Sequence, residues 1–251
     1  MSSFGISLIV FACVFGGAVL GGFVRGVLPA DHLSSDSKDG VKLGMGLVAT
    51  MAALVLGLLV SSAKTFYDMQ SAEETELSAK VVLLDRVLAH YGPDAKEARD
   101  SLRAAVVDRL DKMWPRERRQ TSVRTEPRLG AEDLGERIHA LSPTDDKQRS
   151  LKAQALSMTM DLGHTRWLMY EQETASVSKP MLVVLVFWLI ALFFSFGLFS
   201  PRNATVTTAM FISGLSVSGA IFLILEMYQP YRGLIEVSSA PLRFALAHLG
   251  Q

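Results

Sequence analysis

Apolar positions fall into four unbroken runs, 4–24, 43–60, 180–199 and 206–225, and none of them contains an Asp, Glu, Lys or Arg. A hydrocarbon layer about 30 Å thick needs ~17–25 such residues per crossing helix. A helix suits that medium because it bonds its own backbone groups and leaves none for water to satisfy. Four transmembrane helices are therefore predicted, arranged as two hairpins. The first hairpin turns through 25–42, which holds Pro29, Gly40 and a Ser-Ser-Asp-Ser-Lys-Asp run. The second turns through 200–205, too short for anything but a tight antiparallel return. The first run exceeds the ~7–15 apolar residues of a secretory leader, and no Lys or Arg precedes it, so a retained helix is expected.

Between the pairs lies a polar stretch with a different period. Leu77, Val81, Leu84, Leu88 and Tyr91 recur at alternating steps of four and three, the seam of a helix that buries one side. Gly92-Pro93 breaks it, and Asp94 is a candidate cap for a second helix carrying Leu102, Val106, Leu110 and Met113, which Trp114-Pro115 ends. A third pattern, Leu151, Ala155, Met158, Leu162 and Met169, leads towards the third span, with its cap expected within Ser142-Pro143-Thr144-Asp145. No proline interrupts 43–91, so the second span is expected to run on as one helix beyond the membrane. The same holds for 145–179. The predicted organisation is all-α: a transmembrane hairpin over 1–63, a helical insert over 64–179, a second hairpin over 180–228 and a tail over 229–251.

Four spans put both termini and the insert on one side. Near the span ends that side carries Lys64, Lys80, Arg166, Lys179, Arg232 and Arg243, against Arg25, Lys38, Lys42 and Arg202 on the other. The excess of positive residues assigns the insert to the cytoplasm. The stretch 115–128 adds five arginines. It reads either as a solvated connecting loop or as a contact for anionic headgroups.

Charge and composition then remove several classes of function. The 25 Lys and Arg balance the 25 Asp and Glu, so no global field attracts nucleic acid, and none is expected as a partner. The single cysteine, Cys13, lies in the first apolar run and reads as a small buried hydrophobe. His32, His90, His139, His164 and His248 are scattered, with no His-Glu-x-x-His. No Gly-x-Ser-x-Gly or Gly-Lys-Ser/Thr loop occurs. No enzyme activity, metal or cofactor is expected. Asn203-Ala204-Thr205 matches a glycosylation acceptor, but its place in a short turn against the membrane argues against its use.

Inside the spans the informative residues are small or polar. Gly17 and Gly21 stand four apart in the first span, and Gly46 and Gly57 lie on the second with Ala49 and Ala53. Small residues at such spacing let helix backbones approach where lipid supplies no hydrophobic drive. That contact can lie within one chain, between copies or along a pore. On the fourth span Ser213, Ser216 and Ser218 give a narrow polar side, a candidate lining for a wet path. Glu226 follows directly on Phe222-Leu223-Ile224-Leu225. An acid at that depth is costly unless paired or hydrated, so it is a candidate gating or structural site, with Lys64 or Lys179 as its ion-pair partner. Glu73, Glu74 and Glu76 read either as a solvated helix face or as an attractor of cations at a cytoplasmic mouth.

Longer stretches resemble a known group. Residues 54–64 (Leu-Val-Leu-Gly-Leu-Leu-Val-Ser-Ser-Ala-Lys), 84–95, 196–205, 221–227 and 233–242 resemble the bacterial bestrophin-like membrane proteins, a family defined by sequence rather than by an assigned activity. The resemblance implies kinship with bestrophins, pentameric anion channels with four spans per subunit and cytosolic termini. The acidic calcium clasp and aromatic neck of animal bestrophins are not recognisable here, so neither anion selectivity nor calcium gating is carried over. The expectation is a homo-oligomeric, channel-like pathway for an inorganic ion in the bacterial inner membrane, with the lipid bilayer as its surroundings and a pentamer by analogy. The alternative is a non-conducting scaffold or sensor whose insert binds a partner or lipid.

Overall fold

The computed structural model describes residues 2–29, 35–115, 131–173, 178–201, 203–231 and 233–250. Among them every regular element is helical: α1 (Ser3–Arg25), α2 (Ser35–Tyr91), a 3₁₀ turn (Pro93–Ala95), α3 (Lys96–Met113), α4 (Ala131–Ala140), α5 (Asp146–Glu173), α6 (Lys179–Phe199), α7 (Ala204–Met227) and α8 (Ala240–His248). Four helices, α1, α2, α6 and α7, are long and apolar enough to cross a membrane. The chain forms two compact units. One comprises Met1–Phe66 and Ser176–Gln229, the other Tyr67–Ala175 and Pro230–Gln251.

In the first unit α1 packs on α6 and α7. Its buried positions include Ser3, Ser7, Val10, Val14, Gly17 and Gly21, at steps of four and three. The glycines allow a backbone-to-backbone contact. A Cβ on Gly21 would land on the Phe194 carbonyl oxygen, and one on Gly197 would land on that of Ala18. Leu185 and Leu189 of α6, Ile221 and Ile224 of α7, and Leu59 and Ala63 of α2 share this core. Arg25 donates from Nη1 to the Ser200 carbonyl, a cation placed on the negative end of α6. Asn203 caps α7 by accepting the Val206 N–H at 2.8 Å, which gives this residue a structural part in the turn.

Helix α2 has 57 residues, roughly 85 Å at about 1.5 Å per residue, so it greatly exceeds the hydrocarbon thickness. Its C-terminal part supplies the seam of the second unit: Leu77, Val81, Leu84, Leu88 and Tyr91 are all buried. They share one core with Leu102, Val106 and Leu110 of α3, Leu134 and Ile138 of α4, Ala155 of α5, and Val237, Leu242 and Leu249 from the last residues. Gly92 breaks the long helix with φ 118, a left-handed conformation open to glycine at no steric cost. Asp94 then lies inside the 3₁₀ turn rather than capping α3, whose N-cap is Ala95 without a side-chain bond. At α5 the expected cap is present. Asp145 Oδ1 accepts the Gln148 N–H at 2.6 Å, while Gln148 Oε1 accepts from the Thr144 N–H and hydroxyl. The join between α5 and α6, residues 174–177, and the basic stretch from 116 lie outside the described residues.

Candidate functional site

Each of the two units holds its own set of polar side chains. On α7 the three serines do not share a face. Ser213 and Ser216 are exposed, whereas Ser218 is buried, with its Oγ lacking a hydrogen-bond partner. The reason is angular: five residues along a helix amount to ~500°, so Ser218 points about 140° away from Ser213. The Ser216 hydroxyl donates to the Ile212 carbonyl at 2.9 Å. Gly214, on the buried side, faces Phe11 and Phe193, whose rings an added Cβ would meet at 3.5 and 3.6 Å respectively.

Glu226 is 5% exposed, in the last turn of α7. Two residues on, Tyr228 stacks on Phe66 at 5.1 Å and its hydroxyl lies 3.0 Å from Ser62 Oγ. Ser62 and Phe66 flank Lys64 on α2, so the turn bearing Lys64 stands level with the end of α7. The Lys64 and Lys179 side chains are exposed. Gln229 Nε2 donates to Ser3 Oγ at 3.1 Å, tying the same end to the start of α1.

The glycines divide in the same way. Gly17 and Gly21 face α6; a Cβ on Gly17 would lie 3.2 Å from the Ile190 carbonyl. Around Gly46 and Gly57 a Cβ would meet nothing within 4 Å. Only 11% of the most apolar window of α2 is buried within the chain, against 28–33% for the other spans. The second span therefore has the most surface left for lipid or another chain.

The second unit holds a buried polar cluster that the acidic run at 73–76 did not announce. Glu74 is 1% exposed and its Oε1 accepts from Arg109 Nη2 at 2.5 Å and from the Tyr231 hydroxyl at 3.0 Å. The same hydroxyl lies 3.2 Å from Gln70 Oε1. Trp114 meets Tyr231 edge-on at 5.5 Å, and its Nε1 donates to the Val237 carbonyl. A signal was present in the spacing: carried backwards, the four-three seam from Leu77 passes through Glu74 and Gln70. A second buried acid, Asp85, takes a two-pronged bond from Arg99 at 2.8 and 2.9 Å and a third from the Gly250 N–H at 3.2 Å. The hydrogen bond to Asp85 holds the Arg99 guanidinium above its usual pKa. Within α4, bonding from Arg137 holds the Asp133 carboxyl below the usual carboxylate value, with Ser101 of α3 assisting. Lys80 is shifted up by Glu76, and on α5 it also meets Asp161 and Thr165.

Arg109–Glu74 and Arg99–Asp85 close α3 against α2, and Lys80–Asp161 closes α2 against α5, whereas Asp133–Arg137 lies within α4. Among the described residues no group of three or more His, Cys, Asp or Glu side chains is placed to hold a metal ion. Four uncharged apolar runs, each inside a helix long enough to cross a membrane, define a multi-pass helical membrane protein. Residues 12–242 match the Bestrophin-like domain, and the chain belongs to that family. No curated protein and no solved structure matches it.

Proposed function

We propose that copies of this chain assemble in the bacterial inner membrane around a passive pathway for an inorganic ion, with the polar insert as a cytoplasmic vestibule. The carrying observation is the exposure of Ser213 and Ser216 on the outside of an apolar span. The Ser216 hydrogen is spent on Ile212, so its oxygen lone pairs remain outward for a partially dehydrated ion or its water. Family membership and the sparse cover of α2 within one chain support the same reading. Ser218 and Glu226, both buried, are assigned to holding α7 in place rather than to lining the path. The self-contained core of the second unit is the one feature that suits a non-conducting scaffold, which in turn leaves the outward serines unused.

The test is ion flux from liposomes containing the purified protein. The expected result is flux down a gradient without an energy source, reduced several-fold in Ser216→Leu at equal protein content. Glu226→Gln is expected to lower the yield of assembled protein without altering the ion preference of the remaining flux. Tight vesicles with fully inserted protein would leave the scaffold reading.

A further inference from the structure

A groove of about 460 Å³ runs between the C-terminal part of α1, the end of α6 and the start of α7. That volume lies in the ~300–1,000 Å³ range of small-molecule sites. Its lining includes Phe15, Val19 and Gly22 of α1, Met210 and the hydroxyl-bearing Thr207 of α7, and Ser200 just after α6. Arg25 stands beside the lining residue Ser200, bonded through Nη1 to its carbonyl. It directly follows the uncharged run 4–24, so it sits at the hydrocarbon boundary, where lipid phosphates lie.

We propose that this groove holds one acyl chain of a phospholipid whose phosphate is engaged by Arg25. Three physical points favour that occupant. A furrow on a membrane span cannot stay empty, because its lining would forfeit dispersion contacts, and the molecules at hand are acyl chains. Apolar matching alone would not retain a lipid, since bulk tails are equally apolar, so retention requires a charge. The guanidinium supplies one. It has five N–H donors in a fork that suits phosphate, and the Ser200 carbonyl occupies one of them. The positive N-terminal end of α7 adds to the attraction. Gly22 keeps the trough open: a Cβ there meets nothing closer than the Gly197 carbonyl oxygen at 3.8 Å, so the helices would accept a side chain that the lipid would not.

Native mass spectrometry of the full chain, purified in mild detergent and titrated with palmitoyl-oleoyl phosphatidylglycerol, tests it. The wild type is expected to retain and rebind one phospholipid per chain. Gly22→Leu and Thr207→Trp, which fill the trough from α1 and from α7, should abolish retention while leaving the circular dichroism melt unchanged. Arg25→Gln should bind about fivefold more weakly. Glycerol phosphate, which has the headgroup chemistry without the tail, should not compete. Equal lipid retention by both filled variants would overturn the proposal. So would a change in oligomer mass without loss of lipid, because the groove would then be seating a second copy.

Discussion

Replacing Arg109 with methionine will destabilise the second unit by about 3–5 kcal/mol, the cost of stranding a buried charge. Glu74 is almost fully buried, and its Oε2 already lacks a hydrogen-bond partner. Removing the guanidinium leaves the Tyr231 hydroxyl as its remaining donor among the bonds described above. The loss arises from an uncompensated carboxylate rather than from any large intrinsic value of the pair. The double variant Arg109→Met, Glu74→Leu should therefore recover most of the stability, since well-packed apolar pairs often match buried ion pairs. Urea unfolding followed by tryptophan fluorescence reads this directly, because Trp114 touches Tyr231 within the cluster. A single variant as stable as the wild type would show that water reaches Glu74.

The second large effect is expected in the membrane. Gly197→Ala should cost about 1–3 kcal/mol or force α1 and α6 apart, because overpacking a tight contact strains both sides. The obstacle is the Ala18 carbonyl, a backbone atom that cannot swing aside as a side-chain tip would. Gly46→Ala is the matched control. Its Cβ enters open space, and alanine favours a helix over glycine by roughly 1 kcal/mol. Thermal unfolding in detergent, followed by circular dichroism, should lower the midpoint for Gly197→Ala and leave Gly46→Ala equal or higher. Equal damage from both would place a further chain against α2.

Much of this fold was legible because lipid imposes strict rules. A missing charge over 18 to 21 residues has few other causes, and all four uncharged runs fall within α1, α2, α6 and α7. The seam from Leu77 to Tyr91 was equally readable, since a buried stripe on a long helix must recur at a fixed angle. What escaped depends on residues distant in sequence. Glu74 looks solvated until Arg109, 35 positions later, is seen beside it. The serines of α7 suggest one polar side until helical angles separate Ser218 from the other two. The last residues showed no element in advance, yet Leu242, Ala245 and Leu249 form an apolar strip, and α8 buries it in the second core. Asp94 failed as a cap because Pro93, just before it, favours a tight turn that places the true N-cap one residue later.

Cys13 offers a direct test of the claim that α1 crosses the membrane with its outer face solvated by lipid. It is the only cysteine, it lies in the middle of α1, and its side chain points out of the single chain. A charged, membrane-impermeant maleimide reacts only with a thiol that water can reach and ionise. In intact membranes Cys13 is predicted to stay unlabelled, and to react fully once the protein is unfolded in dodecyl sulfate. Rapid labelling in sealed or open native membranes would put this face of α1 in water and contradict the account.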